Sequence, residues 1–401
     1  MSLTDEPRSA EDVLGRSLDD VEYITDLARA NKDADSLAHA VSDNADALFT
    51  WDYTKGARPR LERLYEKAKT SQWNGTTDLD WSIDVDPMEV LPVISDIPPT
   101  PEDLGIDDPN SPIYKWDDQR WREFNAEQVR WRMSNFLHGE QGALLCTAKI
   151  VETVPWIDAK YYAATQVVDE ARHVEVFGRY LDEKLGGQYP INVHLGLLLD
   201  DIIEDSRWDM TYLGMQIMVE GLALAAFGFM HMGTEEPLLK QLLRYVMSDE
   251  ARHVAFGVLS LQEYYEHLST AELRERQEFV FEASIRMRDR FLAQEVWEEF
   301  GVDTKEMVRR MLAVPPERLE FQRLLFSKIV PNVRKLGLLD AGDGWLRDRF
   351  TEIGVIEFEH LEDTSEEYIA LDAVEADREG VELEQQDKME EMAAAAHDAI
   401  H

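Results

Sequence analysis

The pentapeptide Asp-Glu-Ala-Arg-His stands at 169–173 and again at 249–253, an offset of 80 residues. Each copy has a glutamate 30 residues upstream, Glu140 before Glu170 and Glu220 before Glu250, so the glutamates repeat at the same offset. A single Glu-x-x-His is usually a helix-surface ion pair. A doubled one with matched upstream glutamates reads as an internal repeat. Within each copy the glutamate and histidine are i and i+3, one turn apart on one face of a helix. The candidate site residues are Glu140, Glu170, His173, Glu220, Glu250 and His253, four carboxylates and two imidazoles. Apolar residues surround them in sequence, among them Phe136, Leu144, Val168, Phe177, Leu222 and Phe256. Carboxylates buried together repel, and each is costly to desolvate. Two divalent cations remove both problems. Carboxylate-rich ligation with one imidazole per ion suits iron or manganese, and zinc less well.

Long helices must bring these side chains level. The spacing predicts helices near 117–153, 157–185, 196–232 and 237–267, and a fifth near 270–300. Pro155 ends the first, and Gly186, Gly187 and Pro190 end the second. Gly233 and Pro237 bracket the turn after the third, and Ser269 with Glu272 forms a capping box opening the fifth. Residue 155 is midway between Glu140 and Glu170, and residue 235 midway between Glu220 and Glu250. If each pair of helices folds back at its midpoint, the rise of about 1.5 Å per residue is undone on the descent and the carboxylates face each other. No Val/Ile/Thr alternation suggests a sheet.

One Glu from each of two helices with Glu-x-x-His from each of two others is the ligand pattern of the ferritin-like di-iron carboxylate proteins. The chain resembles that superfamily over about residues 116–300. Asp-Glu-x-Arg-His on both ligand helices is similar to the hydroxylase subunits of bacterial multicomponent monooxygenases, as is Asp200-Asp201-Ile-Ile before the Glu220 segment. The resemblance implies an all-α fold, a ferritin-like four-helix bundle with additional helices and a proline-rich N-terminal wrap. It implies that Asp169 and Asp249 hydrogen-bond the second nitrogen of a ligand histidine across the bundle, and that Arg172 and Arg252 anchor those aspartates. Two positions depart from relatives. Leu224 stands where the hydroxylases commonly carry threonine, and Phe177 where the ribonucleotide reductase small subunit carries its radical tyrosine. N-oxygenases, acyl-CoA epoxidases and ligand-binding oxidases of the superfamily stay open. The function implied is O2 activation at two iron ions, or Mn/Fe, to hydroxylate, epoxidise, N-oxygenate or desaturate an organic substrate. Electrons would come from an external reductase or ferredoxin, since no Gly-x-Gly-x-x-Gly segment or cysteine cluster is present to carry another redox group. The alternatives are a Mn/Fe ligand-binding oxidase and a ferroxidase-type or non-catalytic metal-binding protein. No charged residue is expected in the substrate pocket.

The remaining chain divides into an N-terminal helical extension (1–77), a connector (78–115), the bundle (116–302), additional helices (303–350) and a tail (351–401). The connector carries seven of the fifteen prolines. Pro315, Pro316 and Pro331 are expected to break the additional helices. The tail holds 17 acidic and two basic side chains, which predicts a solvated, partly disordered segment. The 401 residues carry 41 Lys+Arg against 81 Asp+Glu, a formal charge of −40. Such a charge argues against nucleic acid and against an anionic membrane surface. Cys146, the single cysteine, is read as a small core side chain. The sequence shows no signal-like start and no uncharged apolar run of about 18 residues, so a cytoplasmic chain is expected, with a homo-oligomer left open.

Overall fold

The computed structural model describes residues 8–31, 38–54, 56–91, 99–315 and 318–368, and all regular structure among them is helical. Pro92, Pro98 and Pro316 and the tail from residue 369 lie outside the described residues. Three helices precede the bundle: α1 (Ala10–Leu14), α2 (Val21–Arg29) and α3 (Pro59–Thr70). The bundle follows as α4 (Asp118–Thr153), α5 (Ile157–Lys184), α6 (Val193–Glu204), α7 (Trp208–Tyr212), α8 (Glu220–Gly233) and α9 (Pro237–Tyr265), with a π segment, Leu213–Val219, joining α7 to α8. Outside it lie α10 (Thr270–Arg290), α11 (Gln294–Glu299), α12 (Thr304–Leu312), α13 (Glu320–Leu324), α14 (Phe326–Lys335) and α15 (Trp345–Glu352).

The core is two antiparallel pairs, α4 with α5 and the α7–α8 rod with α9, packed together. The turns fall at Val154–Trp156 and Thr234–Glu236, where the midpoints of the glutamate spacings place them. Glu236 caps α9 by accepting from the backbone N–H of Leu238 (2.8 Å) and Leu239 (2.7 Å). The expected capping box at Ser269 and Glu272 is present, and Asp117 caps α4. The rod Trp208–Gly233 is long and apolar enough to cross a membrane by length and composition. However, 89% of its apolar window is buried inside the protein, which makes it the bundle's core helix.

Several boundaries differ from expectation, and tertiary contacts account for them. The third helix is not continuous over 196–232. It breaks after Glu204, where the buried Lys149 ammonium of α4 donates to the carbonyls of Ile203 and Asp205 and so satisfies the end of α6 from outside. Glu220 is then preceded by the π segment, a wide turn of the kind that recurs at functional sites. This segment lies close to α9 at Gly257. A Cβ there would stand 2.6 Å from the Cβ of Gln216. The fifth helix stops at Arg290, because Ala293 is left-handed (φ 47°). Pro331 does not break a helix but sits buried inside α14. It forfeits one backbone bond near the helix start, where Ile329, Val330 and Val333 are wholly buried. Residues 351–368, read as the beginning of the acidic tail, are folded. Phe358 is buried, Lys328 pairs with Glu367, and Asn332 bonds Thr364. Val168 is 55% exposed and faces away from the bundle core, contrary to its reading as site lining.

The connector lies on the bundle. Lys184 donates to the carbonyls of Trp81 and Ile83, and Thr234 to that of Val90. Helix α3 packs on both α5 and α9, which brings Gln72 and Trp73, just past its end, over the repeated aspartates.

Candidate metal centre

All six candidate residues converge between α4, α5, α8 and α9, and all are buried. They form two overlapping groups. In one, Glu140, Glu170, His173 and Glu250 each offer an atom within 4.8 Å of the others. In the second, Glu170, Glu220 and His253 do the same. Glu170 belongs to both. Glu250 also reaches both histidines, with Oε1 3.1 Å from His173 Nδ1 and Oε2 3.7 Å from His253 Nδ1. The two glutamates of the repeated pentapeptide are thus central, with Glu140 and Glu220 outside them. His173 Nδ1 also lies 3.1 Å from Glu140 and 3.4 Å from Glu170, and His253 Nδ1 3.0 Å from Glu170. The imidazole rings are 5.9 Å apart.

Each histidine turns Nδ1 inward and Nε2 to an aspartate on the opposite helix. His173 Nε2 is 3.2 Å from Asp249, and His253 Nε2 is 3.3 Å from Asp169. The aspartates are anchored in turn. Arg172 donates to Asp169 (2.5 Å) and Asp249 (3.0 Å), and Arg252 to Asp249. The exchange ties α5 to α9 twice, and an aspartate accepting at Nε2 fixes the tautomer that leaves Nδ1 free for an ion.

The cluster fits two cations. Glu170 Oε2, Glu220 Oε2, both carboxylate oxygens of Glu250 and Nδ1 of His253 have no hydrogen-bond partner, although all are buried. Buried polar atoms are otherwise nearly always paired. Left to its own charges, the cluster shares out protons instead. Burial, with the charges of Glu250 and Glu170, pushes Glu140 up to about 8. Burial and the same two neighbours raise Glu220 well above its ordinary value. For Glu170 burial acts upward too, but His253 and His173 outweigh it and hold it below the usual range. Burial alone would keep both histidines neutral, yet the surrounding carboxylates raise them well above the ordinary imidazole value. Two dications would take over the work of those protons.

Gln166, one turn before Glu170, spans the centre and donates to Glu170 (2.9 Å) and Glu220 (3.0 Å). Gln72 donates to Asp169 (3.1 Å) and Trp73 Nε1 to Asp249 (2.8 Å). Sequence reasoning missed all three. For Gln166 the i, i+4 relation to Glu170 was a readable signal, whereas Gln72 and Trp73 have none. Phe177 packs against Phe136 and Phe227 as core, and Cys146 is buried. Asp200 and Asp201 stand away from the centre in ion pairs with His39 and Arg286. A narrow cleft with about 20 Å³ of free space lies beside the cage. Glu140, Glu220 and Glu250 line it together with Phe136, Leu222 and Arg290. Arg290 corrects the expectation of a pocket without charge. It shares the buried stripe of Val280, Ala283 and Met287, where a charged residue is out of place.

The helical bundle and its buried Glu/His set are of the ferritin-like di-iron carboxylate kind. Residues 147–337, somewhat under half of the chain, match the family model of the p-aminobenzoate N-oxygenase AurF. No curated protein matches the chain. Among solved structures, the chain is similar to a variant R2-like ligand-binding oxidase with an anaerobically reconstituted Mn/Fe cofactor. That match is 19% identical over 65% of this chain and 92% of the other, with a TM-score of 0.41. A second, with an aerobically reconstituted metal cofactor after photoconversion, is 18% identical over 69% and 92%, with a TM-score of 0.43. The family match and the buried Glu/His cluster together support a di-iron oxidoreductase of the oxygenase/oxidase type.

Proposed function

We propose that the protein is an O2-dependent oxygenase that takes electrons from an external reductase or ferredoxin and oxidises a small organic molecule held in the cleft. The observation that carries this is the pair of ligand groups joined through Glu170, buried, with unpartnered donor atoms turned on one another. In this reading Glu140, Glu170, Glu220 and Glu250, with Nδ1 of His173 and His253, would hold the two metal ions. Two iron ions, or manganese and iron, supply the reduction of O2 and the oxidising power when bound. The chain's own residues set the conditions. Asp169 and Asp249 hold the Nε2 protons of the histidines, and Arg172 and Arg252 anchor both aspartates. Gln166 fixes the facing oxygens of Glu170 and Glu220. Phe136, Phe177 and Phe227 exclude water on the cleft side, which protects an oxidant from solvent. The name of the matched family favours N-oxygenation of an amine as the first reaction to test.

The test is O2 consumption by chain loaded anaerobically with ferrous iron and reduced. An oxygenase takes up about one O2 per pair of irons and retains both metals. Uptake of many irons per chain with mineral as product would assign the protein to iron storage instead.

A further inference from the structure

On the side of the cage away from the cleft, the bundle core carries polar groups that metal binding does not use. The pattern Tyr-x-x-x-Gln-x-x-x-Glu occurs at 162–170 on α5 and again at 212–220 on the α7–α8 rod. Tyr162, Gln166 and Glu170 stand one turn apart, as do Tyr212, Gln216 and Glu220. Tyr162 is therefore two turns from its glutamate, about 12 Å along α5. Asp209 extends the second row by one more turn. Four residues overshoot an α turn of 3.6, and the wider π segment Leu213–Val219 takes up the excess, which keeps Gln216 in line between Tyr212 and Glu220. The rows meet at both ends. Gln166 donates to Glu170 (2.9 Å) and to Glu220 (3.0 Å), while the rings of Tyr162 and Tyr212 both pack on Phe256, at 4.4 and 5.1 Å.

The polar atoms of this region are buried and unsatisfied. Tyr162, Thr211, Tyr212 and Gln216 are wholly buried, and Ser260 is 1% exposed. The hydroxyls of Tyr162, Thr211, Tyr212 and Ser260 and both amide atoms of Gln216 have no hydrogen-bond partner. Tyr212 and Ser260 stand side by side across the rod and α9. Apolar side chains would fill these positions without the cost of burying a polar group. Buried polar groups in such a cluster are the usual hosts of internal water. Burial pushes both phenols well above the ordinary tyrosine value, so they stay protonated and neutral. Asp209, at the outer end, is 1% exposed and pairs with Arg276 at 2.9 Å. Arg276 in turn lies 3.3 Å from Glu275, whose side chain is 41% exposed. The second row thus runs from a solvated carboxylate to Glu220.

Building on the oxygenase reading, we propose that the two Tyr–Gln rows, with Ser260 and internal water between the hydroxyls, are the route by which protons reach the cage from solvent. Insertion of one oxygen atom of O2 into a substrate consumes two electrons and two protons and releases the other atom as water. The external reductase or ferredoxin supplies the electrons, and the rows supply the protons. Each hydroxyl or water passes a proton towards the cage and takes one from the group behind it, so the rows end a turnover unchanged. Proton supply and substrate then approach the cage from opposite sides, and the cleft need not admit water.

Two readouts test this. A crystal structure of the metal-loaded chain, at a resolution that shows ordered water, is expected to place water within hydrogen-bond reach of Gln216, Tyr212 and Ser260; a dry core there would overturn the proposal. In stopped flow, the ferrous chain is mixed with O2 in H2O and in D2O and iron oxidation is followed by absorbance. Y212F keeps the ring and removes the hydroxyl. It is expected to slow oxidation about ten-fold or more, to raise the solvent isotope effect above that of the parent, and to recover in part when ammonium is added as a small proton donor. Y180F removes a buried phenol outside the rows, one bonded to Glu236, and is expected to change neither rate nor isotope effect. Y212F oxidising like the parent would overturn the proposal. So would slower oxidation with an unchanged isotope effect, which would mark lost packing alone. Should Y212F lose its metals or its helix content, S260A decides by the same readouts. A parent that consumes no O2 would instead sink the oxygenase reading, and this proposal with it.

Discussion

Asp249 receives Trp73 Nε1, Arg172 and Arg252 and faces His173 Nε2, which makes it the most heavily committed polar side chain beside the cage. Burial would raise its pKa, yet Arg252, His173 and Arg172 hold it far below the usual carboxylate range, so it is an anion at every working pH. D249N keeps the shape and removes the charge that orients His173. Metal affinity, read by chelator competition, is expected to fall about 10- to 100-fold, and unchanged affinity would show that the aspartate only packs. His194 is a second residue whose environment sets its charge. It is 2% exposed, its Nε2 has no partner, and burial draws its pKa from 6.5 to about 4, with Asp289 opposing the shift and Arg16, Arg286 and Arg288 adding to it. The unfolded chain takes up this proton below pH 6.5 and the folded chain does not until about pH 4. His194 therefore removes stability as pH falls through that window, about 2 kcal/mol by pH 5, and has no effect above it. Urea unfolding of H194Q should lose less stability between pH 7 and pH 5 than the parent; equal losses would refute the assignment. At this scale the clustering of the six glutamates and histidines, and of the four aspartates and arginines beside them, was legible because their spacing repeats. Gln72, Trp73 and Arg290 were not, since only the fold brings them to the site.

The helices of the bundle were readable wherever a local signal ends them. Pro155, Gly186, Pro237 and the Ser269–Glu272 box all act through bonds within a few residues. The break after Glu204, the π segment and the stop at Arg290 have long-range causes. Lys149 reaches α6 from another helix, and the π segment is pressed against α9 where Gly257 has no Cβ. G257A would place a methyl 2.6 Å from Gln216 Cβ and 3.3 Å from Ile217. Neither backbone can withdraw without moving Glu220 or His253. A loss of about 1–3 kcal/mol in stability is expected by thermal or urea unfolding. G178A, whose Cβ would meet only Leu137 at an ordinary 3.8 Å, should be neutral or stabilising by up to about 1 kcal/mol. Equal effects of the two substitutions would show that the close approach at Gly257 does not matter.

Across the whole molecule, charge is divided by depth. The chain carries a formal −40, while its centre gathers four carboxylates that only cations or protons can hold together. Composition revealed the first fact and said nothing of the second, which came from an 80-residue repeat. The N-terminal extension and connector, which sequence could read only as polar helix and proline-rich chain, cover the bundle and deliver Gln72 and Trp73 to the repeated aspartates. The central claim concerns the assembled chain and is a stoichiometry. The chain would be loaded anaerobically with ferrous and manganous ions, desalted and assayed for both metals. Two metal ions per chain are expected, with the iron-to-manganese ratio choosing between a di-iron and a Mn/Fe centre. Both should be lost from the E170A/E250A double variant with the helix content unchanged. Trace metal in the parent, or two metals retained by the double variant, would contradict the assignment.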